Sequence, residues 1–374
     1  MPIEPHITTS RTNNDKNPVS VWNRDVTSLF KINYTPKAPY RELSVFSRKL
    51  SFLLGAGIPI KTALGIVSEQ LQERGLRKHL TKLNTKVQQG ESFSSALKDT
   101  SVFPAFFCGF VAIGEATAKL PQVMEQLADF YEEQAQTKDE LVAALIYPIA
   151  VAVLMLGVII MAITFVLPGY SRIFAATGAP LPTLTRGLLH ISQAVTEHGH
   201  WVVIIISVVV FSCIFFAKST PGRVFIGKII LRIPIIKLGV NFHITQALHL
   251  LLSAGLPISQ ALPLTADVME NLQVKKDIHK LSIYLEIGKS FGEALGEIPY
   301  IDHLLINLAR IGEETGCLPQ TIEKCQIYFT RSYKRAIKRL NKLIEPIITL
   351  VLGIGLGIIM LAIILPTFEL ATVI

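Results

Sequence analysis

The sequence predicts an all-α protein built from two duplicated helical bundles and three transmembrane helices. Two apolar segments, Ile149–Leu167 and Ile347–Leu365, contain no charged residue, and a proline stands on each side of both. A helix of about 20 residues spans roughly 30 Å, the thickness of the hydrocarbon core of a bilayer. The second segment follows the first at an offset of 198 residues, so we predict a duplication built around a membrane span.

The composition fits a protein divided between water and membrane. Mean hydropathy is +0.45 and 50% of the 374 residues are hydrophobic, yet the charges are concentrated in long polar blocks. The net charge of +8 could indicate a nucleic-acid partner, but the excess lies mostly beside the apolar segments. This placement favours anionic membrane lipid as a partner and predicts no nucleic-acid binding.

The first half of the chain is predicted to form a tail, a domain and a span. Residues 1–40 are polar and rich in turn-forming residues, and we expect a largely disordered tail. Residues 41–147 have apolar side chains at helical spacing and no alternating strand pattern, which predicts a helical bundle. Its last helix begins at Pro121 and continues into the first transmembrane helix, 148–168.

The second half is predicted to repeat this order. A loop, 169–200, leads to a shorter apolar segment, 201–217, which we predict to be the second transmembrane helix. Residues 218–345 begin with a basic connector and then show helical spacing again. The third transmembrane helix, 346–366, and a short tail, 367–374, follow.

Three pairs of motifs indicate that the two helical blocks are copies. They are LLGAGIPI at Leu53 and LLSAGLPI at Leu251, GESFSSAL at Gly90 and GKSFGEAL at Gly288, and IGEATAKLPQ at Ile113 and IGEETGCLPQ at Ile311. The pairs agree at 6 of 8, 5 of 8 and 7 of 10 positions. Unrelated sequences agree at roughly one position in fifteen. The register slips by three residues only where Phe103 and Pro104 correspond to Ile298 and Pro299.

The distribution of basic residues predicts the orientation in the membrane. Lys and Arg number 17 in residues 1–147, two in 169–200, 17 in 218–345 and none after 366. Basic residues collect on the cytoplasmic side of membrane spans. We therefore expect both helical blocks in the cytoplasm, with the middle loop and the C-terminal tail on the outer side.

The sequence shows no convincing signature of an enzyme. Gly288, Lys289 and Ser290 resemble the end of a phosphate-binding loop, but position 283 is Ile where that motif requires Gly. The predicted spans contain no Asp, Glu, Lys, Arg or His, which argues against an intramembrane protease and an ion-driven transporter. We predict no catalytic residue and no cofactor.

We also predict no metal site. Three histidines lie close together in the loop 169–200, namely His190, His198 and His200. Glu197 is the only carboxylate with suitable spacing, so these histidines are interpreted as surface residues near a membrane. The four cysteines show no metal-binding spacing.

Glu115 and Glu313 occupy equivalent places in the two copies, each after a glycine at the end of an apolar helix. One interpretation is a contact or cation site at a domain interface. The other is that each carboxylate caps the N-terminus of the next helix, which begins near Pro121 or Pro319. Both interpretations stay open.

A basic stripe precedes the third predicted span. Its members recur at helical spacing: Arg331, Lys334, Arg335, Lys338, Arg339 and Lys342. At corresponding places the first copy has acidic residues, including Glu133 and Glu140. Opposite charges could pair the two domains, within one subunit or between subunits. A solvated face is an equal alternative, since exposed ion pairs are worth only about 0–1 kcal/mol.

Gly353 and Gly357 form a GxxxG motif in the third predicted span. Small residues let two membrane helices approach closely. We predict a helix-packing site at these two glycines, either within the subunit or in an oligomer.

The repeated patterns LxAGxPI, GxSFxxAL and GExxxxLPQ, each followed by a span that ends in LP, resemble the type II secretion system F-protein family. This family includes inner-membrane platform proteins of type II secretion and type IV pilus assembly, and the resemblance covers about Tyr40–Phe368. It implies a homo-oligomeric, multi-pass protein of the bacterial inner membrane, with a cytoplasmic N-terminus and a periplasmic C-terminus. The implied partners are a hexameric cytosolic ATPase, pilins or pseudopilins, and other inner-membrane assembly proteins.

Two departures from the family pattern stand out. Ala118 occupies the place that Gly316 occupies in the second copy, so only the second copy has the full GExxGxL pattern. The short N-terminal region common in the family is not recognisable in residues 1–40.

Together these observations predict a non-enzymatic assembly platform in which two cytoplasmic domains couple ATPase motion to the spans. A rigid helix that continues from each domain into the membrane would act as a lever. Two alternatives are a transporter component and a membrane-anchored scaffold without motor coupling. A transporter needs a polar path, and the predicted spans offer only Thr164, Ser207 and Ser212.

Overall fold

The computed structural model describes residues 38–70, 74–166 and 219–373, together with single positions between 169 and 217. Within these ranges the regular secondary structure is helical, which confirms the predicted all-α class. Most of the N-terminal tail, the loop with its three histidines and most of the second predicted span lie outside the described residues. The positions described between 204 and 217 are helical: Ile204, Ser207, Val208, Phe211, Ser212, Phe215 and Ala217.

The first repeat contains six helices in the described part of the chain. They are α1 (Tyr40–Gly55), α2 (Ile60–Gln70), α3 (Arg74–Gln88), α4 (Phe93–Thr100), α5 (Ala105–Ala116) and α6 (Leu120–Met161). A short π-helical segment, Ala162–Val166, continues α6. The apolar face predicted for α1 is the buried one, since Leu43, Phe46 and Leu50 are fully buried.

The second repeat contains the same series of helices after a connector helix, α7 (Thr220–Ile230). The series is α8 (Pro234–Ser253), α9 (Ile258–Val268), α10 (Leu272–Glu286), α11 (Phe291–Gly296), α12 (His303–Glu314) and α13 (Leu318–Val373). Helices α9, α10 and α12 match α2, α3 and α5 at an offset of 198 residues at both ends. The duplication predicted from the motifs is therefore present in the fold.

The register slip between the copies has a local cause in the second repeat. Helix α11 has six residues where α4 has eight, so a longer connection precedes α12. The Asn241 side chain holds this connection, because its Nδ2 donates to the Tyr300 carbonyl at 2.9 Å and its Oδ1 accepts from the Asp302 N–H at 3.0 Å.

The repeated LxAGxPI motif is a helix stop followed by a helix start. Gly57 and Gly255 have φ of +82° and +87°, a left-handed conformation that glycine adopts without steric cost. Pro257 provides the N-cap of α9, and Pro59 stands in the equivalent place before α2. The motif therefore closes one helix and begins the next in each copy.

The repeated GxSF motif caps the short helices α4 and α11. The Ser92 and Ser290 side chains accept hydrogen bonds from the Ser95 and Glu293 N–H groups, at 3.3 Å and 3.2 Å. Lys289, which suggested a phosphate loop, pairs with the Glu297 carboxylate. This segment is therefore a capping turn between two helices, and no strand precedes it in the described chain.

Aromatic side chains link the elements of the first repeat into one core. Phe46, Phe103, Phe107 and Tyr131 contact one another in series, with ring centroids 5.1–5.9 Å apart. These residues come from α1, the connection between α4 and α5, α5 itself and α6. Burying one such ring stabilises the fold by about 1.5–3 kcal/mol, so this series fixes α6 against the rest of the bundle.

Three described helices are long and apolar enough to cross a membrane, namely α6, α8 and α13. In α6 and α13 the apolar stretch of 18 residues is not buried within the protein. In α8, by contrast, 61% of that stretch is buried. We therefore assign α8 to the core of the second repeat, and α6 and α13 to the first and third predicted spans. The prolines that bracket these spans in sequence, such as Pro148 and Pro346, lie inside continuous helices. Membrane helices tolerate such prolines because neighbouring groups satisfy the freed carbonyl.

Candidate functional site at the interface of the two repeats

The two repeats pack against each other through α1, α5 and α6 on one side and α8, α9 and α13 on the other. The Tyr40 hydroxyl donates to the Glu270 carboxylate at 2.9 Å. Gly109 of α5 lies so close to the Leu264 side chain of α9 that a Cβ at position 109 would overlap it. These contacts place the two bundles in direct apposition on the aqueous part of α6.

A polar network crosses the centre of this interface. The Gln134 amide of α6 donates to Gln246 Oε1 at 2.8 Å and contacts His243 Nδ1 at 3.1 Å. The Gln246 amide in turn donates to Glu133 Oε2 at 2.5 Å. The other oxygen of Glu133 pairs with the Lys334 ammonium at 2.7 Å. One residue pair of α6 thus contacts both α8 and α13 of the second repeat.

One end of the network, at His243, is buried, and the other end, at Glu133, is partly exposed. Burial lowers the pKa of His243 to about 4, with Glu270 acting weakly in the opposite direction. The imidazole is therefore neutral near pH 7 and accepts the Gln134 hydrogen bond at Nδ1. At the other end Glu133 has a hydrogen bond and an ion pair to its two oxygens. Buried polar groups that are fully partnered specify one arrangement of the helices that carry them.

The basic stripe and its acidic counterpart meet at one pair only. Among the described residues Arg331, Lys338 and Glu140 make no ion pair, and Arg335 donates to Ser332 at 3.2 Å. The neighbouring carboxylates of α6 act within the first repeat instead, since Asp129 and Glu132 both bind Arg48. The structure therefore brings Glu133 and Lys334 together and leaves the other four predicted residues on exposed helix faces.

Glu115 and Glu313 cap helices, but the helix differs from the expected one. The Glu115 carboxylate accepts from the Phe93 and Ser94 N–H groups at 2.8 Å and 3.0 Å. The Glu313 carboxylate accepts in the same way from the Phe291 and Gly292 N–H groups, at 2.8 Å and 3.3 Å. The capped helices are α4 and α11, which precede each glutamate by about 20 residues, so the second of the two interpretations is right about capping and wrong about which helix is capped.

The glycine before each of these glutamates sets how closely α5 or α12 approaches the next helix. A Cβ at Gly114 would lie 2.9 Å from the Val123 side chain, and one at Gly312 would lie 3.0 Å from the Leu318 backbone. The Gly–Glu pair therefore joins three helices in each repeat. Burial raises the pKa of the Glu115 carboxyl, but the hydrogen bonds from Ser94 and Phe93 outweigh burial and hold it below its usual value.

A cation site at Glu115 or Glu313 would need further ligand side chains close to the glutamate. In the described chain no three His, Cys, Asp or Glu side chains converge as a metal site.

The departure at Ala118 leaves the turn unchanged, because Ala118 and Gly316 both have positive φ, +54° and +69°.

The predicted glycine motif of α13 does not face α6. Added Cβ atoms at Gly353 and Gly357 would meet nothing within 4 Å, whereas one at Gly355 would overlap the Met155 methyl group of α6. The contact between the two spans within the chain therefore uses the glycine between the predicted pair. Gly353 and Gly357 lie on a surface that no described residue covers.

The residues that sequence reasoning missed are Gln134, His243 and Gln246. Helix α8 is apolar enough to resemble a span, and several polar side chains, His243 and Gln246 among them, interrupt that apolar run. Such an interruption is the signal that could have identified them, because buried polar side chains need partners.

The fold and interface define a class of protein, a tandem pair of helical bundles in which each copy runs directly into an apolar helix. The sequence profile of the family described as type II secretion system (T2SS), protein F, matches residues 46–168 and 244–366. The chain therefore belongs to this family. Membership and the exposed apolar stretches of α6 and α13 together identify a multi-pass protein of the inner membrane.

Relatives carry names from two machines. The type IV pilus assembly protein PilC of Thermus thermophilus is 28% identical over 88% of this chain and 82% of its own length. The type II secretion system protein F of Aeromonas hydrophila is 26% identical over 88% and 86%. A type IV pilus assembly protein PilC of Pseudomonas aeruginosa is 25% identical over 96% of both chains, so that similarity extends into the N-terminal tail.

Replacing Glu133 by Ala should destabilise the junction of the repeats. The change removes the acceptor of the Gln246 amide and the partner of Lys334, and we expect the free energy of unfolding in detergent to fall by about 1–3 kcal/mol. Glu140→Ala is the matched control on the same helix, because Glu140 is exposed and makes no ion pair among the described residues. Equal, negligible effects of the two substitutions would show that the network does not hold the repeats together.

Glu115→Gln should weaken the cap of α4 by about 1–2 kcal/mol at neutral pH. The folded-state pKa of Glu115 is lowered, so its contribution is full above the usual carboxyl pKa of 4.5 and is lost as pH falls through the lowered value. The gap in stability between parent and variant should therefore close in acid. Thermal unfolding over a pH series measures this, with Glu125→Gln, at an exposed position of α6, as the control. A gap that stays constant on acidification contradicts the prediction.

Proposed function

We propose that this protein is the inner-membrane platform of a type II secretion or type IV pilus assembly machine. In this role it couples a hexameric cytosolic ATPase to the assembly of pilins or pseudopilins and to protein secretion, and it is not itself an enzyme. The observation that carries the proposal is that a single helix in each repeat is both a core element of a bundle and a membrane span. The names of the relatives from both machines support the same role.

The two long helices can transmit movement over the distance that such coupling requires. Helix α6 has 42 residues and α13 has 56, which correspond to roughly 63 Å and 84 Å of helix. The Glu133–Lys334 pair ties the aqueous part of α6 to α13, and the Gln134 network ties it to α8 of the same bundle. A displacement imposed on either bundle would therefore move both spans as a unit.

The proposal includes the topology and domain boundaries expected from the sequence. The N-terminus and the helical domains 41–147 and 218–345 lie in the cytoplasm. The loop 169–200 and the end of the chain, 367–374, lie in the periplasm. The spans are 148–168, 201–217 and 346–366, and an odd number of spans is what places the two termini on opposite sides.

Exposed predicted residues provide surfaces for partners in this proposal. Arg331, Arg335, Lys338 and Glu140 lie on exposed faces of α13 and α6, where a second subunit or the ATPase would meet them. Gly353 and Gly357 lie on an uncovered face of α13, where a span of another subunit or of an assembly partner would pack.

A membrane-anchored scaffold without motor coupling remains the competing function. It shares the fold, the spans and the partners, and it differs only in that no movement passes along α6 and α13. A transporter component is less well supported. It needs a polar path through the spans, and the Thr164 hydroxyl in the first span instead donates to the Ile160 carbonyl of its own helix.

Inserting Gly-Gly before Tyr147 or before Glu345 separates the platform from the scaffold. Each insertion interrupts a lever helix between its bundle and its span, and a pair of glycines lowers helix stability by about 2 kcal/mol. We expect pilus or exoprotein output to be lost while the protein still inserts in the membrane and still recovers the ATPase in affinity capture. A Gly-Gly insertion after Gly288, in an exposed turn of the second repeat, is the control.

Two outcomes would contradict the proposal. Normal assembly from the lever insertions would favour the scaffold, since an interrupted helix cannot transmit force. Failure to recover any secretion-type ATPase or pilin with the parent protein would contradict the platform itself.

A further inference from the structure

A cavity of about 440 Å³ opens in the second repeat between α7, the start of α8 and the outer face of α10. Its size is typical of sites for small molecules, which range over about 300–1,000 Å³. Its apolar part includes Leu231, Ile298 and Pro299, and Tyr284 and Tyr300 contribute their rings. It lies apart from the interface of the two repeats.

Four cationic side chains line this cavity: Lys228, Arg232, Lys237 and Lys280. Among the described residues, the charged groups of the first three make no ion pair and no hydrogen bond. Lys280 has a distant partner, Asp277, at 3.9 Å. All four side chains are exposed, so water screens their mutual repulsion, and an anionic ligand in the cavity would gain charge-assisted hydrogen bonds from them.

The two carboxylates of the lining are already engaged by other groups. Asp277 accepts from the Tyr300 hydroxyl and from the Gln273 amide, each at 2.9 Å. Glu297 pairs with Lys289, which lies over the ring of Tyr284. With four cations and two carboxylates, the lining has a net charge of +2 (4 − 2) and the cavity keeps a positive field.

The duplicated fold does not require these cations. At the positions 198 residues before Lys228, Arg232 and Lys237, the sequence has Phe30, Tyr34 and Pro39. These three positions are therefore cationic in the second copy alone, whereas Lys280 corresponds to Lys82 in the first copy. A structural role in the bundle would predict similar residues in both copies.

The cavity lies at the end of the second repeat that faces the third span. Helix α8 runs antiparallel to α13, because Gly239 lies against Tyr333 while His249, further along α8, is close enough to Glu323 for that carboxylate to affect its pKa. The start of α8 is therefore its membrane-proximal end. Measured along the axis of α13, at 1.5 Å of rise per residue, the start of α8 at Pro234 lies roughly 12 Å from Pro346. A headgroup layer of roughly 5–8 Å and a long basic side chain together bridge that distance.

We propose that this cavity binds a phosphate ester, with Lys228, Arg232 and Lys237 contacting the phosphate and the Tyr284 side receiving the organic part. Ammonium and guanidinium groups are the residues that proteins use for phosphate. The phosphate can come from the headgroup of an anionic phospholipid or from a soluble nucleotide. The site goes beyond the platform function, because neither the ATPase contact nor the lever depends on it.

The test uses the full chain and two probes. In the lipid arm, the protein is reconstituted in nanodiscs of mixed phosphatidylglycerol and phosphatidylcholine, and native mass spectrometry counts the phosphatidylglycerol retained after ejection. In the soluble arm, calorimetry measures ATP binding in nanodiscs of phosphatidylcholine alone. The cavity variant is Arg232→Gln with Lys237→Gln. The matched control, Lys276→Gln with Lys324→Gln, removes the same charge at exposed positions outside the cavity.

We expect the cavity variant to weaken one of the two probes by about tenfold or more, and the control to change it less than about twofold. Loss of retained phosphatidylglycerol identifies a lipid headgroup as the ligand, and loss of ATP binding identifies a soluble phosphate. Thermal unfolding of both variants checks that they remain folded. Equal effects of the cavity variant and the control would overturn the proposal, as would absence of binding by the parent in both arms.

Discussion

Two helices, α6 and α13, must satisfy water at one end and lipid at the other, and the rest of the structure depends on this constraint. In the aqueous part α6 is amphipathic, with Val123, Met124 and Leu127 buried against its bundle. Beyond Pro148 it is apolar on all sides and exposed. A continuous helix makes this change while it pairs its own backbone groups, and such internal pairing is required within hydrocarbon. The bundles are therefore built around the proximal halves of these helices.

The Gly–Glu pair stabilises these helices within each repeat, and the polar network stabilises the contact between the repeats. Glu115 and Glu313 fix α4 and α11 within each repeat, and their glycines let α6 and α13 pack closely. Gln134 and Glu133 then fix one repeat against the other. An entirely apolar junction would pack as well but would specify its register less sharply, since apolar contacts are non-directional.

The sequence predicted the fold more fully than the site. Motifs at an offset of 198 residues predicted the duplication, and the predicted start of the last helix of the first repeat, Pro121, lies one residue from the observed start, Leu120. The helix that each glutamate caps could not be read locally, because Glu115 and Phe93 are 22 residues apart. Gln134 and Gln246 are separated by 112 residues, and only the packing of the two repeats brings them together. Gly355 replaced Gly353 and Gly357 at the contact with α6 because the rotation of α13 is set by that packing.

The proposed coupling depends on the continuity of the lever helices, and hydrogen–deuterium exchange of the nanodisc-embedded protein measures that continuity. We expect amides on both sides of Tyr147 and of Glu345 to be protected together, with no fast-exchanging segment between the bundle and the span. A run of rapidly exchanging amides at either position would reveal a hinge. A hinge there would contradict a rigid connection from the helical bundles to the membrane.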